Sequence, residues 1–187
     1  MGVLKLKLTI AYDGFQYKGW QVQKSGITVQ QKIEEALQKL FPSVDRVHSS
    51  SRTDTGVHAR GMVAHVEIEK DEYRIGELKL RLALNAFLPD DVSVLEVKRV
   101  PANFHARFDA TGKQYRYMIW NHPVSNPLTR HTSWHVSRNL DLADMQKAAK
   151  YFIGSHDFSA FAVKREYEMR STVRVVTNCK FYKKDSM

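Results

Sequence analysis

The run Ser51-Arg52-Thr53-Asp54-Thr55-Gly56-Val57-His58 puts one carboxylate between two arginines, Arg52 and Arg60, with hydroxyls at Thr53 and Thr55. Guanidinium charge nearby favours an ionised carboxylate, so the loop has the ingredients of a buried-carboxylate site. Gly56 and Gly61 permit backbone angles that a Cβ would forbid. Asp-Thr-Gly would also suit an aspartic protease, which needs two carboxylates sharing a proton. Only one Asp-Thr-Gly is present, and Ser-Ser-Ser-Arg leads into it rather than an apolar strand. An arginine two residues away opposes a shared proton even in a twofold dimer. The protease reading is set aside.

The elements around this loop can be read from periodicity. Val3 to Tyr12 alternates apolar and polar residues, as a half-buried strand does. Thr28-Val29-Gln30-Gln31 is a capping box. It opens a helix with Val29, Ile33, Ala36, Leu37 and Leu40 on one face. Val44 to Ser49 and Met62 to Ile68 read as strands flanking the loop. Tyr73 to Leu88 reads as a helix with Ile75, Leu78, Leu82 and Ala86 inward, and Val92 to Val100 as a strand. Strand, helix, two strands, helix, strand is the ferredoxin-like order, so residues 1–100 are expected to form one α+β unit carrying the loop.

Residues 101–187 are expected to form a second, incomplete α+β unit. It holds a strand over Lys113–Asn121, a loop over His122–Ser137, a helix capped by Asp141 and closed by Gly154, and a strand over Thr172–Tyr182. The fold class is thus α+β, with two ferredoxin-like (RRM-like) units built on antiparallel sheets.

Charge points to the partner. There are 29 Lys+Arg against 20 Asp+Glu in 187 residues, a net charge of +9. That excess suits a polyanion, most simply nucleic acid. Aromatic residues interleave with cations at Phe15–Gln21 around Lys18, at Phe104–Phe108 around Arg107, and at Tyr115-Arg116-Tyr117. Aromatics can stack bases while cations bind phosphate, so Lys18, Arg60, Arg107 and Arg116 are candidate RNA contacts. No metal spacing, Walker loop or Gly-x-Gly-x-x-Gly appears; no metal or other cofactor is indicated. Cys179 is the single cysteine, consistent with a reducing compartment. With no apolar run of membrane-spanning length and no signal-peptide core, a cytoplasmic location without membrane contact is expected.

Several motifs occur together and in order: Tyr12-Asp13-Gly14 with Gly19-Trp20-Gln21, Thr28-Val29-Gln30, Arg52-Thr53-Asp54-Thr55-Gly56-Val57-His58, Asn85–Pro89, Phe104–Phe108 and Tyr115-Arg116-Tyr117. This set resembles the TruA family of tRNA pseudouridine synthases from about Leu6 to Val175. Thr55 stands where the family usually has alanine. The resemblance implies a pseudouridine synthase fold and isomerisation of specific uridines to pseudouridine in the tRNA anticodon stem-loop. It further implies a homodimer and no cofactor. By position, Asp54 matches the family's catalytic aspartate, Arg52 the arginine two residues before it, and Tyr115 the active-site tyrosine.

These residue types suit that reaction. The N1–C1′ bond breaks, the uracil turns, and C5 rejoins C1′. A glycosidase would want two carboxylates flanking the bond, whereas this motif offers one. Asp54 can attack C1′ or take a proton at C2′, and the sequence leaves both open. Arg52 can intercalate or bind phosphate while the uridine is flipped out. Tyr115 can stack on the base and receive the C5 proton. The family's C-terminal Phe-containing segment, Met-Val-Arg and final helix and strand have no counterpart in this sequence. Arg165, Arg170 and Arg174 do not match that arginine. The chain is therefore expected to be shortened relative to the family, and the alternative reading is an inactive RNA-binding remnant.

Overall fold

The computed structural model describes residues 2–161 and 171–183. The chain divides into two compact units, one running through Tyr115 and one beginning at Arg116.

The first unit is built on β1 (Val3–Tyr12), α1 (Val29–Gln38), β2 (Val47–Ser49), β3 (Ala59–Glu69), α2 (Glu77–Phe87) and β4 (Val92–Val100). The strands make a four-stranded antiparallel sheet in the order β2-β3-β1-β4. Strand alternation sends Leu6, Leu8, Ile10 and Tyr12 into the core with Met62, Ala64, Val66 and Ile68. The two helices cover this face with Val29, Ile33, Leu37, Leu80 and Leu84. The opposite face carries Lys5, Lys7 and Thr9 of β1, across from Glu67, His65 and Val63 of β3.

Thr28 caps α1 as expected, its hydroxyl accepting the Gln31 amide at 3.4 Å. Gln31 does not close the reciprocal half of the box; its side chain donates to Glu35 instead. α2 differs in phase from the sequence expectation. Leu80 and Leu84 are buried, whereas Leu78 and Leu82 are 63% and 59% exposed. Leucines fall on both faces of this helix, so apolar periodicity fits either phase, and packing against the sheet selects one. α2 also starts at Glu77 rather than Tyr73, because Gly76 takes an extended N-cap conformation.

In the second unit, β5 (Ile119–Asn121) pairs in parallel with β6 (Trp134–Val136). α3 (Leu142–Ala149) is capped by the Asp141 side chain, which accepts the Asp144 amide at 3.0 Å. β7 (Gly154–Asp157) pairs antiparallel with β8 (Val173–Val176). The described strands thus lie in two two-stranded sheets rather than one. The strand expected over Lys113–Asn121 shrinks to its last three residues, and no strand partners 113–118 among the described residues. Leu142 and Met145 are partly covered, and Ala149 is the buried residue of α3. Arg165 and Arg170 lie outside the described residues.

Candidate active site

The Asp54 loop, joining β2 to β3, is held by its backbone. The Thr53 carbonyl accepts the Trp20 amide at 3.0 Å, and the Tyr17 carbonyl accepts the Gly56 amide at 3.2 Å. The Tyr12 and Thr53 hydroxyls lie 2.8 Å apart. Burial raises the Tyr12 pKa, so its phenol stays protonated and can donate or accept in that bond. In β1 the pairing register shifts between Ile10 and Tyr12, which sets Tyr12 opposite Ala59 just past the loop.

Two glycines explain how closely the 12–20 segment meets this loop. A Cβ on Gly14 would lie 2.0 Å from the Val57 carbonyl oxygen, and one on Gly19 2.5 Å from that of Thr53. Gly19 also has φ of 85°, in the left-handed region that side chains disfavour. Gly56 has a positive φ as well, as expected beside Asp54, while Gly61 is an ordinary strand residue.

The remaining motifs brace this contact from behind. The Val29 and Gln30 amides at the start of α1 donate to the Gly19 and Trp20 carbonyls. Buried Gln30 bonds Glu34 and the Val47 carbonyl, while Glu34 accepts the Val47 amide, fastening α1 to β2. Tyr17 donates to Asp91 at 2.5 Å. Burial, then that carboxylate, drives the Tyr17 phenol strongly upward in pKa. Asn85 closes two bonds on the Val94 backbone, at 2.8 and 2.9 Å. Trp20, 2% exposed, belongs to the core with Tyr17; neither is a free stacking surface, and of the three aromatics in Phe15–Gln21 only Phe15 is exposed.

The Asp54 and Arg52 side chains are exposed, which corrects the expectation of a buried carboxylate. The surrounding segments grip the loop through Thr53, Gly56 and Val57 backbone atoms, and the Arg52 and Asp54 side chains project from that grip. Among the described residues no side-chain hydrogen bond or ion pair engages Asp54 or Arg52. Tyr115 is 72% exposed and lies outside regular structure. Among the described residues no hydrogen bond, ion pair or ring contact joins it to the Asp54 loop. Lys18, Arg60, Arg107 and Arg116 are all exposed. Arg60 lines an open cavity of about 350 Å³ with Asp13, Asp90 and Asp91, beside the loop rather than around Asp54. Arg174 donates to the Ser171 and Val173 carbonyls.

His58 and Asp13 are a pair that sequence reasoning passed over. His58 Nδ1 lies 2.8 Å from the Asp13 carboxylate and 3.2 Å from the Gly14 amide. Proximity of Asp13-Gly14 to Val57-His58 was unreadable without the tertiary contact.

Asp54 is thus presented outward on a glycine-fitted loop that joins two strands of an antiparallel sheet. The sequence comparisons specify the class. Residues 8–109 match the family described as tRNA pseudouridine synthase. The chain is 46% identical over 184 residues to tRNA pseudouridine synthase A of Ruminiclostridium cellulolyticum, covering 98% of this chain and 74% of that protein. It is 46% identical over 159 residues to the same-named protein of Geotalea daltonii, covering 83% and 63%. It is 42% identical over 182 residues to that of Acetivibrio thermocellus, covering 97% and 73%. The chain belongs to the tRNA pseudouridine synthase family, whose members are isomerases acting on tRNA. It spans between 63% and 74% of the length of these relatives.

Among the described residues, no helix is long and apolar enough to cross a membrane.

Proposed function

We propose that this chain isomerises uridine to pseudouridine in the tRNA anticodon stem-loop, with Asp54 as its catalytic carboxylate. The observation that carries this reading is the grip on the loop. Tyr12, Gly14, Gly19 and Trp20 all converge on residues 53–58, leaving Asp54 outward on a fixed backbone. Preorganisation of this kind is what positions a reacting group. Asp54 acts at the ribose, attacking C1′ or taking the C2′ proton as N1–C1′ breaks. After the uracil turns, C5 bonds to C1′, the C5 proton leaves to a base, and N1 gains a proton. No oxidant or cofactor is needed. Arg52 contacts the RNA around the flipped nucleotide, and Tyr115 stacks on the base and takes the C5 proton. Lys18, Arg60, Arg107 and Arg116 bind phosphate.

The βαββαβ order and the strand order β2-β3-β1-β4 support a ferredoxin-like first unit, with the second an incomplete counterpart. Leu78 and Leu82, exposed one helical turn apart, supply an apolar stripe suited to a second copy and support a homodimer. The lone cysteine supports a cytoplasmic, reducing location. Primer extension on carbodiimide-treated tRNA transcripts tests the assignment. New stops confined to the anticodon arm are expected; stops elsewhere, or none, would reject it.

A further inference from the structure

On the sheet face away from the helices, three imidazoles from separate segments meet. The His48 and His65 rings stack with centroids 5.0 Å apart and planes 19° apart. His105 meets His65 edge-on at 4.7 Å and His48 at 5.9 Å. Among the described residues His65 is one of three buried polar side chains, 2% exposed. Its Nδ1 accepts the Ala106 amide at 3.1 Å, a bond spanning 41 positions of sequence. Lys5 adds a second anchor, donating to the Phe104 carbonyl at 3.0 Å.

Between these anchors the chain turns tightly. The Phe108 and Asp109 amides donate to the His105 carbonyl, and the Asp109 carboxylate accepts the His105 amide at 2.8 Å. The turn buries Ala106 and lifts its neighbours outward. Phe108 is 75% exposed, its ring 4.3 Å from that of His105. The exposed Arg107 guanidinium lies 5.9 Å from the Phe108 ring. An exposed aromatic ring beside a cation, on a turn with fixed ends, is the arrangement that accepts an unpaired base and its phosphate.

We propose that this turn is an RNA-docking element: it stacks an unpaired tRNA nucleotide on Phe108, binds its phosphate through Arg107, and is positioned by His65 as hydrogen-bond acceptor. The inference rests on tRNA being the substrate, but not on catalysis by Asp54. Burial, together with the positive charge of His105, His48 and Lys5 when present, holds the His65 pKa down to about 4, so the acceptor form persists at neutral pH.

The test is tRNA affinity measured on the Asp54→Ala chain, which separates failure of this inference from failure of the isomerase reading. Phe108→Leu and His65→Leu are each expected to weaken binding about tenfold, and the double variant little more than either. His65→Asn, with an acceptor near the Nδ1 position, retains affinity; His65→Gln, which moves the acceptor outward, does not. Asn and Gln carry the test if the leucine variant fails to fold. Unchanged affinity in Phe108→Leu, losses that multiply in the double variant, or equal behaviour of Asn and Gln would overturn the proposal.

Discussion

The Tyr12 hydroxyl, at the inner end of β1, reaches Thr53 at 2.8 Å, one residue before Asp54. A strand whose alternate residues build the core thereby touches the loop carrying the proposed catalytic carboxylate. Tyr12→Phe keeps the buried ring and deletes the bond. The expected cost is about 1 kcal/mol of stability. The same change is expected to lower kcat by about tenfold to a hundredfold with KM little altered, because a small misplacement of a reacting group is expensive. Steady-state kinetics and a denaturant melt on one preparation check both.

Gly14 and Gly19 meet backbone atoms, not flexible side-chain ends. Gly14→Ala must push Val57 away, and Gly19→Ala must push Thr53 while straining a positive φ. Each is expected to destabilise by about 1–3 kcal/mol and to lower activity more than stability predicts. Gly112→Ala, with nothing within 4 Å of the added methyl, is the control and is expected to be neutral.

His65 links stability to pH. Its pKa lies near 4 in the folded chain, against about 6.5 when unfolded. Burial is the main cause; His105 and His48 add to it, as does Lys5, while Glu67 opposes them. Lys7 sits opposite in the register. Between those two values the unfolded state binds the extra proton, so stability falls as pH falls through this window and is fully present above it. The difference spans about 3 kcal/mol. Urea titrations from pH 7.5 to 4.5 are expected to show this slope in the parent chain and a flatter one in His65→Asn.

Phosphate contacts are read by salt dependence. Replacing Lys18, Arg60, Arg107 or Arg116 singly by alanine is expected to lower the slope of log affinity against log salt by about 0.7–0.9. A residue whose replacement leaves the slope unchanged makes no phosphate contact.

The first unit was legible because its alternations are long. Val3–Tyr12 alternates apolar and polar residues from Leu4 through Ile10, and α1 has a cap and a single apolar face. α2 was legible in position but not in phase, since Leu78 and Leu82 compete with Leu80 and Leu84 for the inward stripe. β6 and β7, three and four residues long, carry no periodic signal, and Gly154–Asp157 has no apolar residue at all. At the candidate site, the loop and its carboxylate were visible as a motif. Its support was not, because Tyr12, Gly14 and Gly19 act across 34 or more positions, by a hydroxyl contact and by close backbone approach, which residue types alone do not encode. The exposure of Asp54 was missed for the same reason: flanking arginines suggested burial, and only packing decides it.

The most direct measurement is release of tritium from C5-tritiated uridine in tRNA transcripts, run with the chain and with Asp54→Ala. C5 loses its proton only if C5 becomes the new point of attachment to the ribose. The account predicts release by the parent chain and none above background by Asp54→Ala, with tRNA affinity equal in the two. Equal release by both, or none from a parent chain that binds tRNA, would contradict it.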